Sequence, residues 1–536
     1  MTTHRESLTA TGTLVRFALR RDRVKLPIWI GGIGLGMLYA VSALPTVYGT
    51  PEERQVRAEL MDSPAATMMS GPGYGLDNYT LGAMITNEMV LYLAIPAAMM
   101  SIFLVTRHTR AEEETGRAEL VRSAVVGRHA ATTAALIVAL IANVGVALLT
   151  ALAMLSGDLA AADSFAVGIG IGLTGLCFAG VATVNAQLTE HSRAASSLAM
   201  AVVGAAFLLR AIGDVSQPGG NLLSWLSPLA WPQQARPFVD LRWWPLLLSI
   251  AVLAVTVALG YALSVRRDVG AGLMPPRLGR ADATPSLSTP FGLAVRQQRA
   301  SLIGWASGLF IFAVPTGSLS DSVTEAVANN PQMGEIFTAN GQDPLDAFYA
   351  TMALFFSLLV GAFAVTSVLR LRSEERTGHT EAALATSVGR PRWYFSWLGF
   401  TILASAVLLL ISGLGVGIGA ATGAAGLGTI AEVTLGTLAF LPAVMVVAGI
   451  AALLFGFRPA ASALAWIVVA YAVFFGMFGV LLNLPEWVTD LSPFAHTTAL
   501  PIAELPLTPL VVLAALAAVL AVAGGTAFRR RDIESA

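Results

Sequence analysis

The residues best suited to chemistry in this chain are a run of carboxylates that occurs twice. In AEEETGRAELVRSAVVGR (111–128) the order is Glu112, Glu113, Thr115, Gly116 and Glu119. In SEERTGHTEAALATSVGR (373–390) it is Glu374, Glu375, Thr377, Gly378 and Glu381. Two leading acids, a Thr-Gly step that interrupts or caps a helix, and a further Glu make a short helix charged enough to remain wet. Such a helix can insert into a groove on a soluble partner. One charged loop by itself reads as a solvated connector, but a connector need not keep the same charge order twice.

Other chemistries lack their residues. A phosphate-binding loop needs a Lys directly after Gly, and the sole lysine, Lys25, lies between Val24 and Leu26. The single Cys177 sits in an apolar run, so neither a disulfide nor a Cys metal cluster is expected. His108, His129, His191, His379 and His496 fall near predicted span ends and His4 near the N-terminus, so no metal-ligating cluster forms. No nucleophile elbow occurs. No enzyme site and no cofactor bound by this chain are expected. Ion-coupled carriers need ionisable groups at mid-membrane depth. Glu88, Arg210 and Glu432 fall at predicted span ends, where snorkelling is inexpensive, and Asn185 does not ionise. The energy for any transport is therefore expected from outside the chain; an ion-coupled exporter is the alternative, and a channel or scaffold a third reading.

These residues must be positioned by elements that suit a bilayer. Of 536 residues, 55% are hydrophobic and 12% charged, against roughly 25% charged in soluble domains. About 20 apolar residues cross the hydrocarbon core. Candidate spans lie near 26–48, 84–105, 131–156, 164–187, 195–213 and 244–265, then near 301–318, 349–370, 394–421, 430–456, 460–483 and 507–528. The first is too long for a signal peptide's apolar core, and the second half has its own version of it. Arginines crowd 1–25, 106–130, 266–300, 370–392 and the tail, whereas 319–348 and 484–506 contain neither Lys nor Arg. By the positive-inside rule both termini and the acidic loops are cytoplasmic, in a bacterial inner membrane. Arg54, Arg57, Arg236 and Arg242 fall in predicted outside loops and blur the first half's signal. A net charge of −1 gives no field that would draw nucleic acid.

The halves match in order. Arg20 and Trp29 answer to Arg296 and Trp305, the acidic loops align without a gap, SPLAW (227–231) answers to SPFAH (492–496), and RRDV (266–269) to RRDI (530–533). The reading is an all-α polytopic membrane protein of about twelve transmembrane helices in two parallel six-helix repeats. Its parts are a first unit over 1–270, a cytoplasmic linker over 271–290 and a second unit over 291–536. Residues 12–24 and 291–300 read as amphipathic helices in the interface. PEERQVRAEL (51–60) and SDSVTEAVANN (320–330) read as short helices over the outer mouth.

Together, an amphipathic elbow, six spans per unit, a charged loop between the second and third spans and no nucleotide-binding motif resemble the type-2 ABC exporter permeases. More closely, the doubled E-E-x-T-G-x-x-E resembles the fused antibiotic-exporter permeases of actinobacteria, the tetronasin-resistance-like group. The resemblance implies two copies of a separate ABC ATPase subunit as partners, carrying the ATP and Mg. Each acidic loop would dock one, with Glu112, Glu113 and Glu119, and Glu374, Glu375 and Glu381, facing basic groups there. It also implies short re-entrant segments between fifth and sixth spans, at 214–243 and 484–506 around Pro228 and Pro493. The substrate path would run between the halves, with Met99, Met100, Phe310, Phe355, Phe356 and Phe475 as candidates to line it. An apolar cleft would suit hydrophobic or amphipathic small molecules.

Overall fold

Apolar runs of this length fold as helices because a backbone without water must satisfy its own hydrogen bonds, and a helix does so within one segment. A computed structural model describes residues 6–268, 270–274, 282–321, 323–324, 343–422, 426–478, 486–497 and 507–533. Among these residues eleven helices are long and apolar enough to cross a membrane, and no strand occurs. The protein is an all-α polytopic membrane protein. It divides into two compact units, Met1–Gly279 and Arg280–Ala536.

In the first unit an amphipathic helix, Thr11–Arg21, turns at Asp22 into the first span, Lys25–Val47. The turn is held by buried Asp22, whose carboxylate takes His108 Nε2 at 2.5 Å and Arg107 Nη1 at 3.1 Å. Spans two to six are Leu81–His108, Ala130–Leu155, Ala161–Leu188, Ser192–Ser216 and Trp244–Ser264. The fourth is the hub, enclosed by the second, third, fifth and sixth. Small residues let it approach: a methyl at Gly168 would strike the Ala147 carbonyl, and one at Gly180 the Thr256 side chain. The loop after the first span forms helices Pro51–Met61 and Pro64–Ser70, so PEERQVRAEL is helical as expected.

The second unit departs from the first in three places. Its first span, Pro290–Ser318, runs straight through 291–300, so no separate elbow helix exists there. The offset that pairs Arg20 with Arg296 puts Gln298 opposite Asp22. Gln is at ease in a helix interior, whereas Asp competes for backbone donors and favours a turn. Second, the fourth span is interrupted: Gly428–Leu438 and Leu441–Phe457 meet at a turn just before Pro442. Proline lacks the N–H of the helical bond and crowds the carbonyl four residues back. Third, the span expected at 460–483 appears as a 3₁₀ turn, Pro459–Leu464, and a helix Ala465–Phe478. Residues 479–483 of that expected span lie outside the described residues. The remaining spans are Pro344–Arg376, Arg390–Ala421 and Leu507–Arg530. Most of the expected 320–330 helix, the linker residues 275–281, and 484–485 and 498–506 lie outside the described residues.

Candidate functional site

Both acidic loops are built on the same backbone device. In the first unit the second span breaks at Thr109, a short helix Arg110–Glu114 follows, and Gly116 turns left-handed at φ 72° before Arg117–Arg122. In the second unit the helix continues to Arg376, and Gly378 turns at φ 75° before His379–Leu384. The Thr115 hydroxyl donates to the Ala111 carbonyl at 2.9 Å, and that of Thr377 to Ser373 at 3.0 Å, so each threonine adds a second bond to the carbonyl its own N–H already reaches at the helix end. Nothing lies within 4 Å of where a methyl would stand on either glycine. Glycine is required here for its φ and not for space.

The glutamates divide into two sets. Glu119 and Glu381 are exposed, as are Thr115 and Thr377. Glu112, half-buried, pairs with Arg21 of the amphipathic helix. Glu113, Glu374 and Glu375 point inward. Glu113 accepts from Arg267 Nη1 and Nη2 at 2.8 Å each and from Arg110 Nη1 at 2.7 Å. Glu375 accepts from Arg531 Nη1 at 2.5 Å and Nη2 at 2.6 Å. Glu374 faces Arg370 at 3.1 Å and His379 at 3.2 Å, and accepts from Gln297 at 3.1 Å. These three carboxylates therefore hold their own unit together and do not present themselves to a partner.

Arg267 and Arg531 escaped the sequence reading as partners of these acids, although RRDV and RRDI had been matched across the halves. The usable signal was that a repeated acid and a repeated base both flank spans on the side expected to be cytoplasmic. Arg110 escaped as well: fully buried, it donates to the carbonyls of Glu190, Gly270 and Ala271. Glu114, outside the repeated pattern, accepts from the N–H (3.0 Å) and hydroxyl (2.5 Å) of Ser192 and so caps the fifth span.

At the opposite end of the first unit, Glu88 does not stand as a lone intramembrane acid. It accepts from Arg57 Nε at 2.9 Å and Nη2 at 3.0 Å. Burial disfavours the Arg57 charge, but the Glu88 hydrogen bonds and field outweigh that and raise its pKa. Arg210, expected to snorkel, is instead fully buried: it pairs with Asp214 at 3.0 Å and donates to the Met68 carbonyl at 2.6 Å. Arg54 caps the Tyr79, Tyr48 and Gly49 carbonyls, Arg236 stacks over Tyr74 at 4.6 Å, and Arg242 pairs with Asp240. The arginines that blurred the charge asymmetry are thus spent inside the unit.

Of the candidate path residues, Met100 and Phe356 have no exposed surface and are packing residues of their own units. Met99, Phe355 and Phe475 are half-buried and Phe310 is exposed. Phe475 packs at a tilt against Tyr471, 4.3 Å between ring centres, and Phe355 lies beside Phe312 at 5.9 Å.

Eleven helices long and apolar enough to cross a membrane, among the described residues, place this chain in the class of polytopic membrane proteins. A model of the family described as multidrug efflux system permease Rv1217c, C-terminal domain, matches residues 12–263 and 287–529. The chain is also 39% identical over 538 residues to the multidrug efflux system permease protein Rv1217c of Mycobacterium tuberculosis (strain ATCC 25618 / H37Rv), covering 99% of this chain and 96% of that protein. The chain belongs to this permease family.

Proposed function

We propose that this chain is the membrane subunit of an efflux pump for antibiotics or other hydrophobic and amphipathic compounds, energised by two copies of a separate ABC ATPase that carry the ATP and Mg. The drug-efflux part rests on the family and the name of the relative. The ATPase coupling rests on one observation: two loops with the same E-E-x-T-G-x-x-E pattern, each turned by a left-handed glycine, each leaving a glutamate in solvent at Glu119 or Glu381. The first loop adds exposed Leu120 and Val125, at 76% and 86% of their surface. Exposed aliphatic side chains beside a charge suit a protein contact better than bulk water. The offset of 262 that aligns the loops places Ala382 and Ser387 opposite them. The two loops therefore contribute unequally, the first through apolar contact and charge, the second mainly through charge.

The match of the family description to two segments, 12–263 and 287–529, supports a duplicated unit. Six spans per unit in one orientation, with both termini and both acidic loops cytoplasmic in a bacterial inner membrane, are part of the proposal and rest on the crowding of arginines at 1–25, 106–130, 266–300, 370–392 and the tail. The path residues retained in this reading are Met99, Phe310, Phe355 and Phe475.

The test is co-purification of the full chain, expressed with candidate ATPases from its genome, in the expectation of two ATPases per permease and drug-stimulated ATP hydrolysis. Glu119→Lys with Glu381→Lys should weaken the association at least about tenfold, as like charges meet at the contact. Export that persists in vesicles on a proton gradient without ATP would establish the ion-coupled alternative instead.

A further inference from the structure

In each unit one arginine just beyond the sixth span joins three elements. Arg267 grips Glu113 of the acidic loop with both Nη atoms and donates Nε to Gln187 Oε1, near the end of the fourth span, at 2.6 Å. Arg531 grips Glu375 the same way and donates Nε to the Gly456 carbonyl, also near the end of the fourth span, at 3.1 Å. The pairs are shielded: side-chain exposure is 8% for Arg267 and 10% for Glu113, and 13% for Arg531 and 1% for Glu375. Phe455 and Phe528 lie under the Arg531 guanidinium at 5.1 and 5.0 Å. A bidentate Arg–carboxylate contact fixes orientation as well as charge, because the planar guanidinium presents its donors in a rigid fork.

We propose that Arg267 and Arg531 are positioning residues that transmit movement of the acidic loops to the fourth and sixth spans, so that the loop cannot be displaced without carrying those spans with it. The proposal rests on the ATPase-driven reading above. The acids that seemed destined for the partner are then the inner half of the coupling, and Glu119 and Glu381 the outer half. A purely local role would need only charge neutralisation, which one hydrogen bond per pair supplies; both junctions instead use a bidentate contact plus a third bond to another helix.

The experiment uses the full chain with its co-purified ATPase, in proteoliposomes. Arg267→Glu and Arg531→Glu are made singly, together with the swap Glu375→Arg/Arg531→Glu; Glu113 also pairs with buried Arg110, so no swap is made in the first unit. The single reversals should keep the ATPase bound and its basal hydrolysis intact. Drug stimulation and export should fall about tenfold or more, within the roughly 5–150-fold span of allosteric couplings. The swap should recover most of what Arg531→Glu loses. Should the single variants not accumulate in the membrane, Arg267→Lys and Arg531→Lys, which keep the charge and lose the fork, are expected to lower stimulation in proportion to export. Normal export by a folded single or Lys variant overturns the proposal, and so does loss of ATPase binding or a swap no better than Arg531→Glu alone. A wild-type chain that retains no ATPase overturns the coupling reading itself, and this inference with it.

Discussion

Gly116 and Gly378 hold φ values of 72° and 75° with no side chain near them, so a substitution is felt through the backbone alone. Alanine there should cost about 1–2 kcal/mol, and asparagine less, since it tolerates the left-handed region. Limited proteolysis of the purified protein should show faster cleavage across 115–119 in Gly116→Ala than in Gly116→Asn; equal rates would mean that the turn is not what orders the loop. Arg210 and Asp214 pose a different problem, because both side chains are wholly enclosed. Removing one partner of a buried pair leaves an uncompensated charge and costs about 3–5 kcal/mol. Arg210→Leu should therefore lower the melting temperature in detergent more than the double change Arg210→Leu/Asp214→Leu. A double variant as unstable as the single would show that packing, not charge, dominates that site.

Elements in this protein meet through absent side chains. The fourth span of the first unit touches the third where a methyl on Gly168 would strike the Ala147 carbonyl. Gly204, on the fifth span, has nothing within 4 Å. The same substitution should thus have opposite signs: Gly168→Ala forces the two helices apart and destabilises, while Gly204→Ala stabilises by up to about 1 kcal/mol through helix propensity. Thermal unfolding of the two variants in one detergent decides it, and matching shifts would contradict the packing described. The interrupted fourth span of the second unit belongs to the same scale. Pro442 should act as the breaker, so Pro442→Ala is expected to raise the helical signal by circular dichroism.

For the whole molecule, sidedness is the property on which function turns. The native Cys177 is buried, so it leaves a low background for thiol labelling. Single cysteines at Glu119 and Glu381 should react with a membrane-impermeant reagent in inside-out vesicles and not in intact cells. Labelling of either from outside would refute a parallel arrangement with cytoplasmic loops.

Much of this protein was legible from its sequence because a membrane leaves the chain few options. Runs of apolar residues near 84–105, 131–156 and 164–187 had to become helices, and they do so at Leu81–His108, Ala130–Leu155 and Ala161–Leu188, the first and third up to three residues longer at an end and the second shifted by one. The Thr-Gly turns were also readable, since a φ near +70° is a local demand that glycine alone meets freely. Pairing was not readable, for it depends on which span ends the packing brings together. Charge order marked Glu113 and Glu375 as important but could not say that Arg267 and Arg531, 154 and 156 residues further on, would claim them. The i,i+4 spacing on the fifth span offered Asp214 as a partner for Arg210, but the sequence could not supply the burial of the pair or the Met68 carbonyl beside it. Hydropathy and backbone preference act over one turn or one span, so the chain alone determines them; ion pairs act over a few ångströms of space, and only the folded unit decides which residues share that space.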